Sequence, residues 1–250
     1  MKIFRSVLVF FLSLRTTIIL LLVLLCLLLY GSFVMPLNEE FQLLNVAPLL
    51  QWMMNNPFRI TWWLWASLCI LSLLTINTFS CSLESLVKKR ESRQWLLMLS
   101  PQVIHAGFLF ILLAHLLSAY GSFKGMSFVS RGTMLQLPDG LTVLFDSINA
   151  DVDASGYLRE WSAEVKYFQQ GRQIASDVIE PNSPSFRNGL GIYIKTVRFD
   201  PYPVALIEVS REPGAPWALA GGILFLAGTS TLLVLKVRRE DAVNADIRSS

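Results

Sequence analysis

Long apolar runs alternate with ordinary polar sequence along this chain. The first, about Thr16–Phe33 (TTIILLLVLLCLLLYGSF), carries no charge, and at about 1.5 Å per residue it is long enough to cross a hydrocarbon core of about 30 Å. Similar runs cover Ile60–Phe79, Val103–Tyr120 and Trp217–Leu235. Each predicts a transmembrane helix, because only a helix satisfies its own backbone in lipid. The pattern changes between Ser122 and Pro216. Short β-branched or aromatic runs at Thr133–Leu137, Leu141–Phe145, Ser162–Phe168, Ile192–Val197 and Val204–Val209 are separated by turn sequences at 138–140 (PDG), 170–172 (QGR), 187–189 (RNG) and 211–214 (REPG). Such spacing predicts a small sandwich or open barrel. The loop Pro36–Phe58 predicts a short interfacial helix with Val46, Leu49, Leu50 and Met53 on one side.

The expected fold class is therefore a membrane α-helical protein with four transmembrane helices and one extracytoplasmic all-β domain. Residues 1–121 form a membrane domain with helices at about 16–33, 60–79 and 103–120. Residues 122–216 form the β-rich domain, 217–235 the fourth helix and 236–250 a cytoplasmic tail. The first run resembles a signal peptide, since Lys2, Arg5 and Arg15 precede it. No small-residue cleavage site follows at Val34-Met35-Pro36, so an uncleaved anchor is expected.

Charge sets the expected orientation. Lys2, Arg5 and Arg15, then Lys88, Lys89, Arg90 and Arg93, then Lys236, Arg238 and Arg239 all fall on one side of four spans. That side is the cytoplasm by the positive-inside rule. The opposite short loop, Pro36–Phe58, contains Glu39 and Glu40 and no Lys or Arg. Bacterial inner-membrane placement with both termini cytoplasmic follows as an expectation. Composition agrees: 53% of the 250 residues are hydrophobic and 16% charged, with mean hydropathy +0.51, against about 25% charge in soluble domains. The net charge of +3 is too small to argue for nucleic acid.

Chemistry is sparse. Cys26, Cys69 and Cys81 lie in or beside apolar runs, and no CxxC or CxxCH occurs, which argues against a thiol-redox protein and against a covalent c-type haem. The two histidines, His105 and His115, both lie in the third run. Ligating side chains in a membrane helix are costly and mark candidate sites. Ten residues place them about 15 Å apart along the axis and about 80° apart around it. They are unable to share a metal, but each is able to offer one axial ligand to a separate haem or to make an interhelical hydrogen bond. No carboxylate, Cys or second His stands at zinc-ligand spacing, and no histidine in the β region allows a Ser–His–Asp arrangement. Ala106, Gly107, Ala114, Ser118 and Ala119 would let a helix or a flat macrocycle approach. Trp52, Trp62, Trp63 and Trp65 read as an aromatic belt, with haem contact the sharper alternative. Asp146, Asp151, Asp153, Glu160 and Glu164 lack calcium-loop spacing and read as a solvated strand face.

Four stretches in order resemble the ResB (CcsB) family of cytochrome c biogenesis proteins. They are LSLRTTIILLLVLLCLLLYGSF at Leu12–Phe33, NTFSCSLESL at Asn77–Leu86, IHAGFLFILLAHLLSAYGSFKG at Ile104–Gly125 and REPGAPWALAGGILFLAG at Arg211–Gly228. MLQLPDGLTVLFDSI and IEPNSPSFRNGLGIYIKTV between them resemble the family's β segments. The resemblance implies a subunit of a system II cytochrome c synthase. Such a subunit partners a CcsA (ResC)-type membrane protein, handles haem b across the membrane and helps present it to apocytochrome c. It implies a part of a haem lyase without a complete active site of its own. It further implies that His105 is the haem-iron ligand in the third helix; His115 has no identified family counterpart and stays a second candidate. The tryptophan-rich haem motif and the outer histidines belong to the partner. Residues alone leave two other readings open: a haem b electron-transfer subunit, and a non-catalytic assembly protein whose β domain binds a partner.

Overall fold

The structure is a computed structural model and describes residues 13–44, 46–88, 95–199 and 201–249. It divides into a helical unit and a β unit, the latter between Gly121 and Pro213. The helices are α1 (Leu14–Val34), α2 (Leu49–Asn55), α3 (Phe58–Lys88), α4 (Trp95–Gly121) and α5 (Ala215–Ser249). Two short 3₁₀ turns, Met35–Leu37 and Glu39–Leu43, lie between α1 and α2. Among the described residues, four helices are long and apolar enough to cross a membrane: Leu14–Leu37, Phe58–Ser85, Leu99–Gly121 and Ala215–Glu240.

These helices outrun the apolar stretches that predict them. α3 continues from Phe79 to Lys88 because polarity does not end a helix. Hydroxyls earlier in it simply fold back on the carbonyl one turn before, as Ser67 does on Trp63 at 2.8 Å and Thr75 on Leu71 at 2.8 Å. α4 starts at Trp95 and runs through Pro101, a residue that membrane helices tolerate when neighbours satisfy the freed carbonyl. α2 occurs in the expected loop, although Val46 lies outside it.

Helix pairs are fixed by small residues and by single polar bonds. α1 lies against α3: Gly31 has no room for a side chain because the Trp63 ring occupies that space, and Thr17 donates to Asn77 Oδ1 at 2.7 Å. α4 and α5 run antiparallel through three matched positions. Ser100 faces Gly228, Gly107 faces Gly221 and Ala114 faces Gly214, each step being seven residues along both helices. A methyl built on Gly107 would stand 2.6 Å from the Phe225 nitrogen and 2.7 Å from the Gly221 carbonyl. Only hydrogen at both positions allows backbones this close.

The β unit is a sandwich of two four-stranded antiparallel sheets. One has the order β1-β8-β7-β6, with β1 Phe123–Ser130, β8 Pro203–Arg211, β7 Leu190–Phe199 and β6 Ser185–Arg187. The other has β2-β3-β4-β5, with β2 Met134–Gln136, β3 Thr142–Val152, β4 Leu158–Gln169 and β5 Arg172–Ile179. The core follows the two-residue period of strands: Val143 and Phe145, Ala163, Val165 and Tyr167, and Ala205, Ile207 and Val209 are all buried. Three strands escape the sequence pattern. β1, β5 and β6 lie at sheet edges, and β5 (RQIASDVI) is exposed almost throughout, so none of the three shows a clean alternation. The expected QGR and RNG turns are tight hairpins. Gln170-Gly171 and Asn188-Gly189 have positive φ at both residues, the twist that a two-residue hairpin requires.

Two polar groupings tie the sandwich together. The Tyr167 hydroxyl donates to Ser185 Oγ at 2.7 Å, and Ser185 donates to Asp177 Oδ2 at 2.6 Å, linking β4, β6 and β5 across the core edge. Burial pushes the Tyr167 phenol up from its ordinary pKa. Within the β1-β8-β7-β6 sheet, Glu208 of β8 is buried, and Lys124 of β1 and Lys195 of β7 meet its Oε2 at 2.9 and 3.1 Å. Burial pushes the Glu208 carboxyl up, but the hydrogen bonds and charges of the two lysines outweigh that and hold it below the ordinary range.

Gly107→Ala should lower the thermal midpoint of the full chain in detergent by an amount equivalent to about 1–3 kcal/mol, the usual cost of overpacking. Gly222→Ala on α5, where a Cβ meets nothing within 4 Å, should be neutral or stabilising by up to about 1 kcal/mol. Equal responses would contradict the close pairing of α4 and α5. Glu208→Gln should cost about 1–2 kcal/mol near neutral pH, low for charged hydrogen bonds because both lysines reach solvent. A carboxylate whose folded pKa is lowered stabilises above its unfolded pKa of about 4.3 and loses that contribution as pH falls through the folded value. Thermal unfolding of wild type and Glu208→Gln across pH should therefore differ near neutrality and converge below the folded pKa.

Candidate functional site

The extension of α3 beyond its apolar run brings Ser82 opposite α4. Ser82 Oγ and His105 Nδ1 are 2.8 Å apart, a full-strength hydrogen bond between two helices. Either atom is able to donate, depending on the imidazole tautomer. His105 is half-buried, and the bond to Ser82 is its hydrogen bond among the described residues. The helix that carries it is held from another side by α5, through Ile104 against Gly228 and Gly107 against Gly221.

His115 is placed differently. It is exposed on α4 and has no hydrogen-bond partner among the described residues. Ala114 beside it is buried where Gly214 packs, just before α5, and Gly107 is taken up by Gly221 and Phe225 of α5, so these small residues receive chain of this protein. The histidines are brought to different surroundings and are not brought together.

The donor set limits what metal chemistry fits. Among the described residues no group of three or more His, Cys, Asp or Glu side chains is placed to hold a metal ion. A lone imidazole with one nitrogen already hydrogen-bonded leaves its other nitrogen to serve as a single ligand, which would fit a metal held mainly by its own macrocycle, such as haem iron. The basic residues expected beside such a group, Lys89, Arg90 and Arg93, lie outside the described residues; Lys88 is the last residue of α3.

The tryptophans separate into two kinds. Trp52 and Trp63 are buried with Phe41 and Met53, with Phe41 ring centroids 5.1 Å from Trp52 and 6.3 Å from Trp63. They are core of the α1–α3 end of the helical unit. Trp62 and Trp65 are exposed and keep the character of surface aromatics, the Trp62 ring lying tilted against Tyr30 with centroids 5.3 Å apart. Cys26, Cys69 and Cys81 form no disulfide.

The acidic series in the β unit serves structure. Asp153 Oδ1 accepts from Ser155 Oγ at 2.6 Å, Ser155 N at 2.8 Å and Tyr157 N at 2.9 Å. The Ser155 hydroxyl bond above all lowers its pKa, and the backbone donors add to this. Asp146 pairs with Lys166 at 2.7 Å. Asp151 and Glu160 line a groove of about 550 Å³ with Arg159, Trp161 and Glu180. The Trp161 Nε1 there is buried without a partner among the described residues.

No protein-family model and no curated protein matches the chain. Among solved structures it is similar to a cytochrome c heme lyase, CcmF, at 16% identity and a TM-score of 0.46, over 88% of this chain and 35% of that one. This chain therefore spans about a third of that protein's length. Identity and score at these levels assign neither chemistry nor partners, which are argued from the residues.

Proposed function

We propose that this chain is a subunit of a membrane complex for cytochrome c biogenesis, of the system II type, in which His105 supplies one axial ligand to haem b. The observation that carries the reading is the contrast between the histidines. His105 sits half-buried between helices with one ring nitrogen fixed by Ser82, whereas His115 is exposed and unbonded among the described residues. The ordered likeness of Leu12–Phe33, Asn77–Leu86, Ile104–Gly125 and Arg211–Gly228 to ResB proteins supports the same conclusion.

Within this chain His105 would be the residue that holds the group. The chain has only two histidines, both on α4 and not brought together, so any second protein ligand from a histidine would be supplied by a CcsA-type partner. When bound, the haem supplies the iron and the vinyl groups to which apocytochrome thiols add. The work of this chain is to orient and shield. α4 sets the height of His105 in the bilayer, Ser82 fixes its ring, and the α4–α5 backbone contact keeps that helix from sliding. Lys and Arg bias puts both termini in the cytoplasm of a bacterial inner membrane and the sandwich on the outer side, where the partner and apocytochrome c meet it. Catalysis of thioether formation belongs to the assembled complex.

The full chain, co-expressed with a CcsA-type protein and purified as a complex, should carry haem b. His105→Ala should lose most of it and regain it with added imidazole, while His115→Ala should keep it. Haem content unchanged in His105→Ala rules out the axial role. Haem bound by the chain without any partner favours an electron-transfer subunit instead.

A further inference from the structure

We propose that Ser82 is a positioning residue for His105: its hydroxyl oxygen accepts a hydrogen bond from Nδ1–H and thereby presents Nε2, with its lone pair, to iron. The inference rests on the reading of His105 as an axial ligand and assigns a partner on a different helix to that ligand.

The argument runs from the imidazole. A neutral ring has one N–H and one lone pair, and the hydrogen bond made by one nitrogen decides what the other is able to do. Nδ1 of His105 is 2.8 Å from Ser82 Oγ. A metal bound at Nε2 leaves the ring proton on Nδ1, which in a membrane helix needs an acceptor, because no water replaces it. Ser82 Oγ stands at that place. An acceptor there also raises the electron donation of Nε2 and locks the ring plane. The contact crosses from α3 to α4, so rotation or sliding of either helix would break it. It therefore also couples the register of the two helices to the ligand's orientation. Ser82 belongs to the Asn77–Leu86 stretch, and this gives that stretch a chemical task.

The test uses the full chain in complex with its CcsA-type partner, with haem b as the probe. Ser82→Ala, Ser82→Val and Ser82→Thr are compared with wild type and with His105→Ala. Val and Thr have the same shape, so their difference isolates the hydroxyl. Ala and Val should weaken haem retention about 10- to 100-fold, the usual effect of removing an outer hydrogen-bond partner from a ligating histidine. They should also move the haem midpoint potential to more positive values, since a less donating imidazole favours the ferrous state. Thr should restore both. Wild-type retention and potential in Ser82→Val overturn the role of Ser82, and if His105→Ala still loses haem, the ligand reading stands alone. Haem retained in His105→Ala overturns the ligand reading itself. A measurement without variants decides the matter if the substituted chains fail to accumulate. With only two histidines, ¹⁵N-histidine labelling of the full chain in lipid resolves each ring by solid-state NMR. A proton on Nδ1 of His105 is expected, and a proton on Nε2 overturns the proposal.

Discussion

A helix surrounded by lipid gains little by hiding apolar side chains from its neighbours, because lipid tails are as apolar as leucine. Association must come from close backbone contact and from polar groups that have nowhere else to bond. The helical unit uses both. Gly107 and Gly221 bring the backbones of α4 and α5 together, Thr17 meets Asn77 between α1 and α3, and Ser82 meets His105 between α3 and α4. The position of His105 is the sum of these constraints. α4 is pressed against α5 on one side and bonded to α3 on another.

The β unit obeys the opposite rule. Its sheets are driven together by water, and the alternation of buried and exposed side chains records this. Two polar combinations enter with their partners: the Tyr167–Ser185–Asp177 chain joins three strands, and Glu208 gathers a lysine from each neighbouring strand. Such groupings select one register, since sliding a strand by one residue would bury a lysine or expose a core side chain.

The four long helices are legible in the sequence because their signal, apolar length, depends on no partner. Their ends are not. α3 runs on to Lys88 through serines and a glutamate that lie beyond the apolar run ending at Phe79, and it is this extension that carries Ser82. The histidines stand out because there are only two, but their difference depends on what α3 and α5 place around them, which spacing along one helix does not reveal. Trp63 reads as a surface aromatic, yet Gly31 and Phe41, distant in sequence, make it core. Strands β3, β4, β7 and β8 are visible through buried alternation. β5 is hidden because an edge strand covered on one side keeps few apolar residues, and β1 because lysine, glycine and serine interrupt it.

The pairing of β1 with β8 sets an order of events during synthesis. A single residue, Ser122, separates α4 from β1, and β8 is the one strand paired with β1 among the described residues, with Phe123 opposite Arg211. The ribosome thus makes the first strand long before its mate, and hairpins such as β3–β4 and β7–β8 are able to form meanwhile. Closure of so long a loop is slow compared with local pairing, and an unpaired edge is open to wrong partners in that interval. Lys124 and Gly125 make β1 a poor template for them. The strand that finally relieves it is followed within four residues by the last long helix, so completion of the sandwich and arrival of the final apolar segment are tied to the same moment of elongation.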